Sequence, residues 1–172
     1  MFRKLGTFKA VTIFGILYAI SQSLLVVILK PLGLGTFLRL QISFSKDFTI
    51  QAFELWKADG VFSLYRLHLY PDLLHPVWYG LFLISSMVYL LEGDKAAEKF
   101  RWMLALPVIS AMGDCLENMI QFVFLSRPDD SAVTDPLVFI TSLASSIKWS
   151  LASLSLLAVL ALAVRRFAPS AK

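Results

Sequence analysis

Residues 102–125 read WMLALPVISAMGDCLENMIQFVFL, an apolar run in which only Asp114 and Glu117 carry charge. As a helix it is about 36 Å long at roughly 1.5 Å per residue, enough to cross a bilayer hydrocarbon core of about 30 Å. Asp114, Glu117, Asn118 and Gln121 occupy positions i, i+3, i+4 and i+7, so they share one side of that helix. This pattern predicts a polar interior within an apolar bundle.

Three other segments support a membrane assignment. Residues 10–29 and 73–91 are apolar and contain no Asp, Glu, Lys or Arg, and residues 137–164 contain one charge, Lys148. Hydrophobic residues make up 58% of the 172-residue chain and charged residues 16%, against about 25% charged in soluble domains. A bilayer offers no water to backbone groups, so each run should be helical. We predict an all-α membrane protein, a single-domain four-transmembrane-helix bundle with spans at 10–29, 71–91, 102–125 and 137–164.

The segment 30–70, between the first two spans, is predicted to form a small extracytoplasmic cap. Residues 38–45, LRLQISFS, alternate apolar and polar side chains, as do residues 65–70, and this period of two favours short strands. Between them, Ser45 has the character of an N-cap for a helix at 46–59. Short helices lying on the outer leaflet are the alternative.

The distribution of basic residues predicts orientation. Lys and Arg are denser at the N-terminus, in the loop after the second span and in the tail, so both termini should be cytoplasmic, in a bacterial inner membrane. These residues are Arg3, Lys4, Lys9, Lys95, Lys99, Arg101, Arg165, Arg166 and Lys172. The first run is longer than the core of a signal peptide and no A-x-A site follows it, so it should be retained.

Asp114 and Lys148 are predicted to meet inside the bundle. Each lies about 12 residues, or roughly 18 Å, from the inner end of its helix, and Glu117 is one turn above Asp114. A charge at mid-bilayer costs about 2.5–3.5 kcal/mol on insertion scales, so all three groups should point inward and pair. Two carboxyl groups sharing one lysine titrate as a coupled unit, which suits proton transfer.

The candidate catalytic residues are therefore Asp114, Glu117 and Lys148. The remaining polar side chains on the inward faces are candidate binding residues. They are Asn118, Gln121, Tyr79, Gln22, His75, Asp72 and Ser145. The alternative is that the ion pair ties two helices together and that the amides and serines are interhelical hydrogen-bonding groups.

His68, Asp72 and His75 have spacings that would place them on one face of a continuous helix, as a metal site would require. Pro71 argues against continuity, because a helix more often starts at proline than passes through it. A fourth ligand is also missing from the pattern, so we expect a polar rim and predict neither a metal nor a cofactor.

Three motifs carry a resemblance to known proteins. They are Phe44, Ser45 and Trp56 in the cap, Asp72, Pro76, Tyr79 and Gly80 in the second span, and Asp114, Glu117 and Asn118 in the third. In these the chain resembles uncharacterised small bacterial membrane proteins with four helices, a resemblance that implies no activity. In plan it is also similar to the emopamil-binding and sigma-2 receptor group, compact bundles with buried acids around a sterol-sized cavity, but no residue role is carried over.

Function follows from the buried polar groups. The sequence predicts a pocket that binds or chemically alters a lipophilic molecule, such as a lipid, an isoprenoid or a sterol-like compound, by acid/base chemistry. A small proton-coupled transporter or channel-like subunit and a structural subunit of a membrane complex are the alternatives, so the sequence does not decide whether the protein is an enzyme. Membrane lipids are the expected partners, association into a homo-oligomer is left open, and nothing indicates nucleic acid; the net charge of +4 is attributed to topology and lipid headgroups.

Overall fold

The structure, a computed structural model, describes residues 4–92 and 98–167. Throughout these two ranges the regular secondary structure is helical. Arg3, Lys95 and Lys172, which contributed to the predicted orientation, lie outside the described residues. The helices are α1 (Phe8–Leu29), α2 (Leu34–Ile42), α3 (Lys46–Ala58), α4 (Phe62–Asp72), α5 (His75–Leu91), α6 (Ala105–Phe124) and α7 (Asp135–Phe167), with 3₁₀ turns at Lys30–Leu32 and Glu98–Leu104.

Three helical segments are long and apolar enough to cross a membrane. They are Phe8–Leu32, Glu98–Phe124 and Asp135–Phe167, and a fourth exists if α4 and α5, bent by 42° at a short break, are taken as one span. The prediction of an all-α protein is therefore confirmed for the described residues, and three or four of its helical segments are candidate membrane spans.

The two predicted strands are wrong. Residues 38–45 lie mostly in α2, where the buried side chains are Phe37, Leu40 and Gln41, and this spacing of three and four is the period of a helix. Residues 65–70 belong to α4. An alternating pattern over so few residues is compatible with either structure, and packing against the bundle selects the helix.

One prediction for the cap is confirmed and another is wrong. The helix predicted at 46–59 is α3, and Ser45 caps it by accepting a hydrogen bond from the Phe48 amide at 3.2 Å. Gly60 follows with a φ of +71°, in the left-handed region that glycine enters without steric cost. The prediction that Pro71 begins the second span is wrong, because Pro71 lies in the last turn of α4 and α5 begins at His75.

Helices α2, α3 and α4 pack into one layer, the cap, over one end of the bundle. Phe53, Trp56 and Tyr65 are almost completely buried at its centre, and Phe124 of α6 packs against the same cluster. The Trp56 indole donates a hydrogen bond to the Leu32 carbonyl at 2.9 Å. The cap is thus anchored to the bundle by a hydrophobic core that includes residues of α1, α6 and α7.

The long helices pack in a fixed order. α6 packs along α7, α5 contacts α1, α6 and α7, and α1 also contacts α4. A Cβ built on Gly113 would lie 3.0 Å from the Ala144 carbonyl oxygen, so α6 and α7 approach closely at the level of the buried acids. Extensive packing between α1 and α7 is absent from the described residues.

Candidate functional site

A buried cluster of charge lies where α6 and α7 are closest. Lys148 Nζ is 3.1 Å from Asp114 Oδ1 and 2.5 Å from Glu117 Oε2. Glu117 is completely buried, and Asp114 and Lys148 are nearly so. The prediction that Asp114 and Lys148 meet inside the bundle is confirmed, and Lys148 also contacts Glu117, which was predicted one turn above Asp114.

Two amides complete the environment of Glu117. Its Oε1 accepts hydrogen bonds from Gln41 Nε2 and from Gln121 Nε2, both at 2.7 Å. Gln41 in turn accepts from the Trp149 indole at 3.0 Å, and Gln121 accepts from the Tyr65 hydroxyl at 3.2 Å. Glu117 is thus held by side chains from α2, α6 and α7, which indicates a positioning role in this cluster.

Asn118 lies on the same face of α6, and its amide donates to the Asp72 carbonyl at 3.0 Å. The side-chain oxygen of Asn118 is buried without a hydrogen-bond partner among the described residues. Asn118 thereby connects α6 to the end of α4, where the Asp72 side chain is itself buried. In the described chain Asp72 forms no ion pair within 4 Å, which distinguishes it from Asp114 and Glu117.

His75 and Tyr79 of α5 are oriented by serines. The Ser21 hydroxyl donates to the Tyr18 carbonyl at 3.0 Å, so the contact of 2.9 Å between Ser21 and His75 Nδ1 has the histidine as donor. In a neutral ring Nε2 is then an acceptor. Ser110 donates to the Lys148 carbonyl at 2.9 Å, and the Tyr79 hydroxyl lies 3.2 Å from Ser110 Oγ.

A cavity of about 440 Å³ opens beside this cluster. Its wall is mainly apolar and is built from α1, α2, α5 and α7, while its floor holds the polar groups. Six of the predicted site residues line it: Asp114, Lys148, Tyr79, Gln22, His75 and Asp72. The other four, Glu117, Asn118, Gln121 and Ser145, are fully buried behind the floor and do not line it.

Gln41 and Trp149 are two residues at this site that the sequence analysis did not assign to it. Gln41 falls in one of the predicted strands. A buried glutamine on a short amphipathic helix was the available signal, since a buried amide needs a partner. Its partner, Glu117, lies 76 residues away, a distance that no local pattern specifies.

The two histidines of the predicted polar rim lie in different places. His68 is fully buried in α4 and hydrogen-bonds the Tyr65 carbonyl, whereas His75 lines the cavity. Within the described residues no group of three or more His, Cys, Asp or Glu side chains could hold a metal ion.

Comparisons with protein-family models, with curated proteins and with solved structures find no match for this chain. The class that the fold defines is a helical protein with candidate membrane spans and a buried polar cluster. The resemblance drawn from the three motifs stays a prediction.

Replacement of Gln41 by Leu should lower the free energy of unfolding by about 1–3 kcal/mol, because a buried carboxylate loses a donor that nothing replaces. Unfolding by SDS in mixed micelles measures this difference. Ile42→Ala, on the exposed face of the same helix, is the matched control and should change it by less than about 0.5 kcal/mol. Equal effects of the two variants would show that the Gln41–Glu117 bond does not stabilise the fold.

Proposed function

We propose that this is an integral membrane protein with four spans, the second formed by α4 and α5 together. Both termini face the cytoplasm and the cap of α2, α3 and α4 covers the outer end, since basic residues are densest at the inner ends. In this orientation the protein binds a lipophilic amphiphile in the cavity beside Asp114 and Lys148. The head of the amphiphile donates hydrogen bonds, as a hydroxyl or an ammonium group does.

The observation that carries this proposal is a mainly apolar cavity lined by a few buried polar groups. Asp72, His75 and Asp114 line it together with Leu25, Phe37 and Leu83, and all six are buried. Small-molecule sites have this character, being mostly apolar with a few convergent polar groups, and their volumes run from about 300 to 1,000 Å³. An amphiphile matches such a cavity with its head on the floor and its tail along the wall.

The balance of hydrogen-bond donors and acceptors around the cavity determines which head group of an amphiphile fits. Two of the three N–H donors of the Lys148 ammonium are engaged by Asp114 and Glu117, so Lys148 offers a head at most one further donor. Acceptors remain on Asp72, on the Asp114 carboxylate and on Nε2 of a neutral His75. A phosphate or carboxylate head would add an acceptor and a negative charge where both are in excess.

Asp114 is the carboxyl group at which a proton could be exchanged with the head. It lines the cavity and contacts Lys148, whereas Glu117 is buried behind it. General acid–base transfer needs a group within hydrogen-bond reach of the substrate, and a cavity-lining carboxyl meets this condition. Lys148 then balances the negative charge of the Asp114 carboxylate when the proton leaves it.

A matched series of probes tests the proposal. Dodecan-1-ol, dodecylamine and dodecanoate share one chain length and differ in the head, so binding to the protein in phosphatidylcholine nanodiscs isolates head recognition. We expect saturable binding of the alcohol or the amine, at least tenfold tighter than that of dodecanoate. The preferred probe identifies the head as neutral or cationic.

Asp72→Leu supplies the site control for these measurements. It removes a hydrogen-bond acceptor from the cavity while keeping a side chain of similar size, and it should weaken binding of the preferred probe about tenfold. Glu54→Leu removes an acid from the exposed face of α3 and should leave binding unchanged. Tightest binding of dodecanoate, or no saturable binding of any probe, would overturn the proposal.

A further inference from the structure

The cavity has its mouth on the side of the bundle, between α1 and α7. Both helices line the cavity, α1 with Tyr18, Gln22 and Val26 and α7 with Trp149 and Leu156 among others. α1 packs on α4 and α5, while α7 packs on α6, α5 and α2. In the described chain no helix closes the gap between α1 and α7, and α2 crosses above it.

Exposure locates the rim of this mouth. Six of the cavity-lining side chains are exposed, and they come from α1, α2 and α7. We call them the portal: Val26, Leu34, Leu38, Trp149, Ser153 and Leu156. Val26 is 41% exposed, Leu38 47% and Leu156 50%, whereas Asp72, Asp114 and Lys148 at the floor are each below 10%.

The chemistry of the portal indicates what lies outside it. Five of its six side chains are apolar or aromatic, and the indole nitrogen of Trp149 is turned to Gln41. α1 and α7 continue the apolar surface on both sides, with Val27 and Leu157 exposed by 70% and 61%. A mouth open to water would place polar groups at its rim, and an apolar rim on a candidate membrane span faces acyl chains.

We infer that the amphiphile enters sideways from the bilayer through the portal and remains there with its hydrocarbon tail between α1 and α7. This inference rests on the proposed function and adds the route by which the amphiphile enters and the position in which it is bound. The head moves inward to the acceptors on the floor, and the tail keeps contact with lipid, so no part of the molecule crosses water. The cap remains closed over the outer end, held by the hydrophobic core it shares with the bundle and by the bonds of Gln41 to Glu117 and Trp149.

The occupant is an unbranched or isoprenoid chain bearing one small donor head. Length is unrestricted in this pose, because the tail passes out of the cavity into the bilayer. A bulky head is excluded, because the floor is bounded by buried side chains of α4, α5, α6 and α7. Long-chain alcohols and amines therefore fit, and two-chain phospholipids with phosphate heads do not.

Neighbouring residues on α1 and α7 give matched sites for a crosslinking test. A photoreactive p-benzoylphenylalanine at Val26 or at Leu156 lies on the portal, while the same residue at Val27 or at Leu157 faces lipid beside it. The probe is tritiated dodecan-1-ol or tritiated dodecylamine, whichever binds in nanodiscs. We expect saturable labelling at Val26 and Leu156, at least fivefold above that at Val27 and Leu157, which should rise linearly with probe concentration.

A second variant tests the route rather than the pose. Ser153→Phe places a ring on the exposed rim without touching the floor, and it should slow association of the same probe about tenfold with little change in thermal stability. Equal labelling at all four sites, or an unchanged association rate, overturns the lateral route while saturable binding still supports the proposed function. If no probe binds at all, both fall together.

Discussion

Lys148→Met is expected to destabilise the folded protein by about 3–5 kcal/mol, because it leaves two buried carboxylates without their counter-charge. Lys148 contacts Asp114 at 3.1 Å and Glu117 at 2.5 Å, and both acids are buried. The variant should give a low yield of monodisperse protein in detergent. SDS titration in mixed micelles measures the loss for the fraction that folds.

The triple variant Asp114→Asn, Glu117→Gln, Lys148→Met provides the rescue. Replacing all members of a buried ionic group by neutral side chains of similar size is often neutral for stability, so most of the loss should be regained. Binding of the C12 probe should not return, since the acceptor on Asp114 is weakened. Lys4→Met removes a lysine at an exposed position and serves as the charge control; if Lys148→Met is as stable as this control, the cluster is not ionic in the folded state.

Trp56→Ala is expected to lower the free energy of unfolding by about 3–5 kcal/mol, the usual range for truncating a buried aromatic side chain. Trp56 is 1% exposed, its ring lies 5.0 Å from that of Tyr65 between centroids, and its indole bonds the Leu32 carbonyl. Loss of this residue should loosen the cap before the rest of the bundle. Hydrogen exchange followed by mass spectrometry would show faster exchange in α2, α3 and α4 than in α6 and α7.

Leu55, the neighbour of Trp56, is 50% exposed, and Leu55→Ala should change stability by less than about 0.5 kcal/mol. Trp56→Phe keeps an aromatic ring but removes the hydrogen bond to Leu32. It should lower the free energy of unfolding by about 1 kcal/mol for the lost bond, plus the effect of the smaller ring. If Trp56→Ala unfolds cap and bundle as one unit, the cap is not a separate layer of stability.

The cap shows where sequence reasoning fails. Residues 38–45 alternate in polarity, yet they fold mainly as the helix α2 that buries Phe37, Leu40 and Gln41. Over eight residues, periods of 2 and 3.6 share many positions, so the pattern alone cannot choose between them. Contacts of α2 with Glu117 and Trp149, far away in the chain, decide the outcome. By contrast, Ser45 correctly predicted the start of α3, because the hydrogen bond of an N-cap is made within four residues.

The charged cluster could be predicted for a different physical reason. Asp114, Glu117 and Lys148 stand in long apolar runs, where the cost of an unpaired charge leaves few arrangements open. Counting residues along two antiparallel helices then put Asp114 and Lys148 at one height. Gln41 carries no charge and no such constraint, so its bond to Glu117 could be seen only in the folded chain. Which acid faces the cavity likewise depended on packing.

The bridge from Glu117 to Lys148 also has a consequence for biogenesis. Lys148 follows Glu117 by 31 residues, so the ribosome releases both acids of α6 well before the cation that neutralises them. In the proposed membrane orientation, α6 would then remain beside the insertion machinery, or in a watery pocket of it, until α7 emerges. A chain that terminates before α7 would carry two unsatisfied acids into the lipid, a signature by which membrane quality control can recognise an unfinished product.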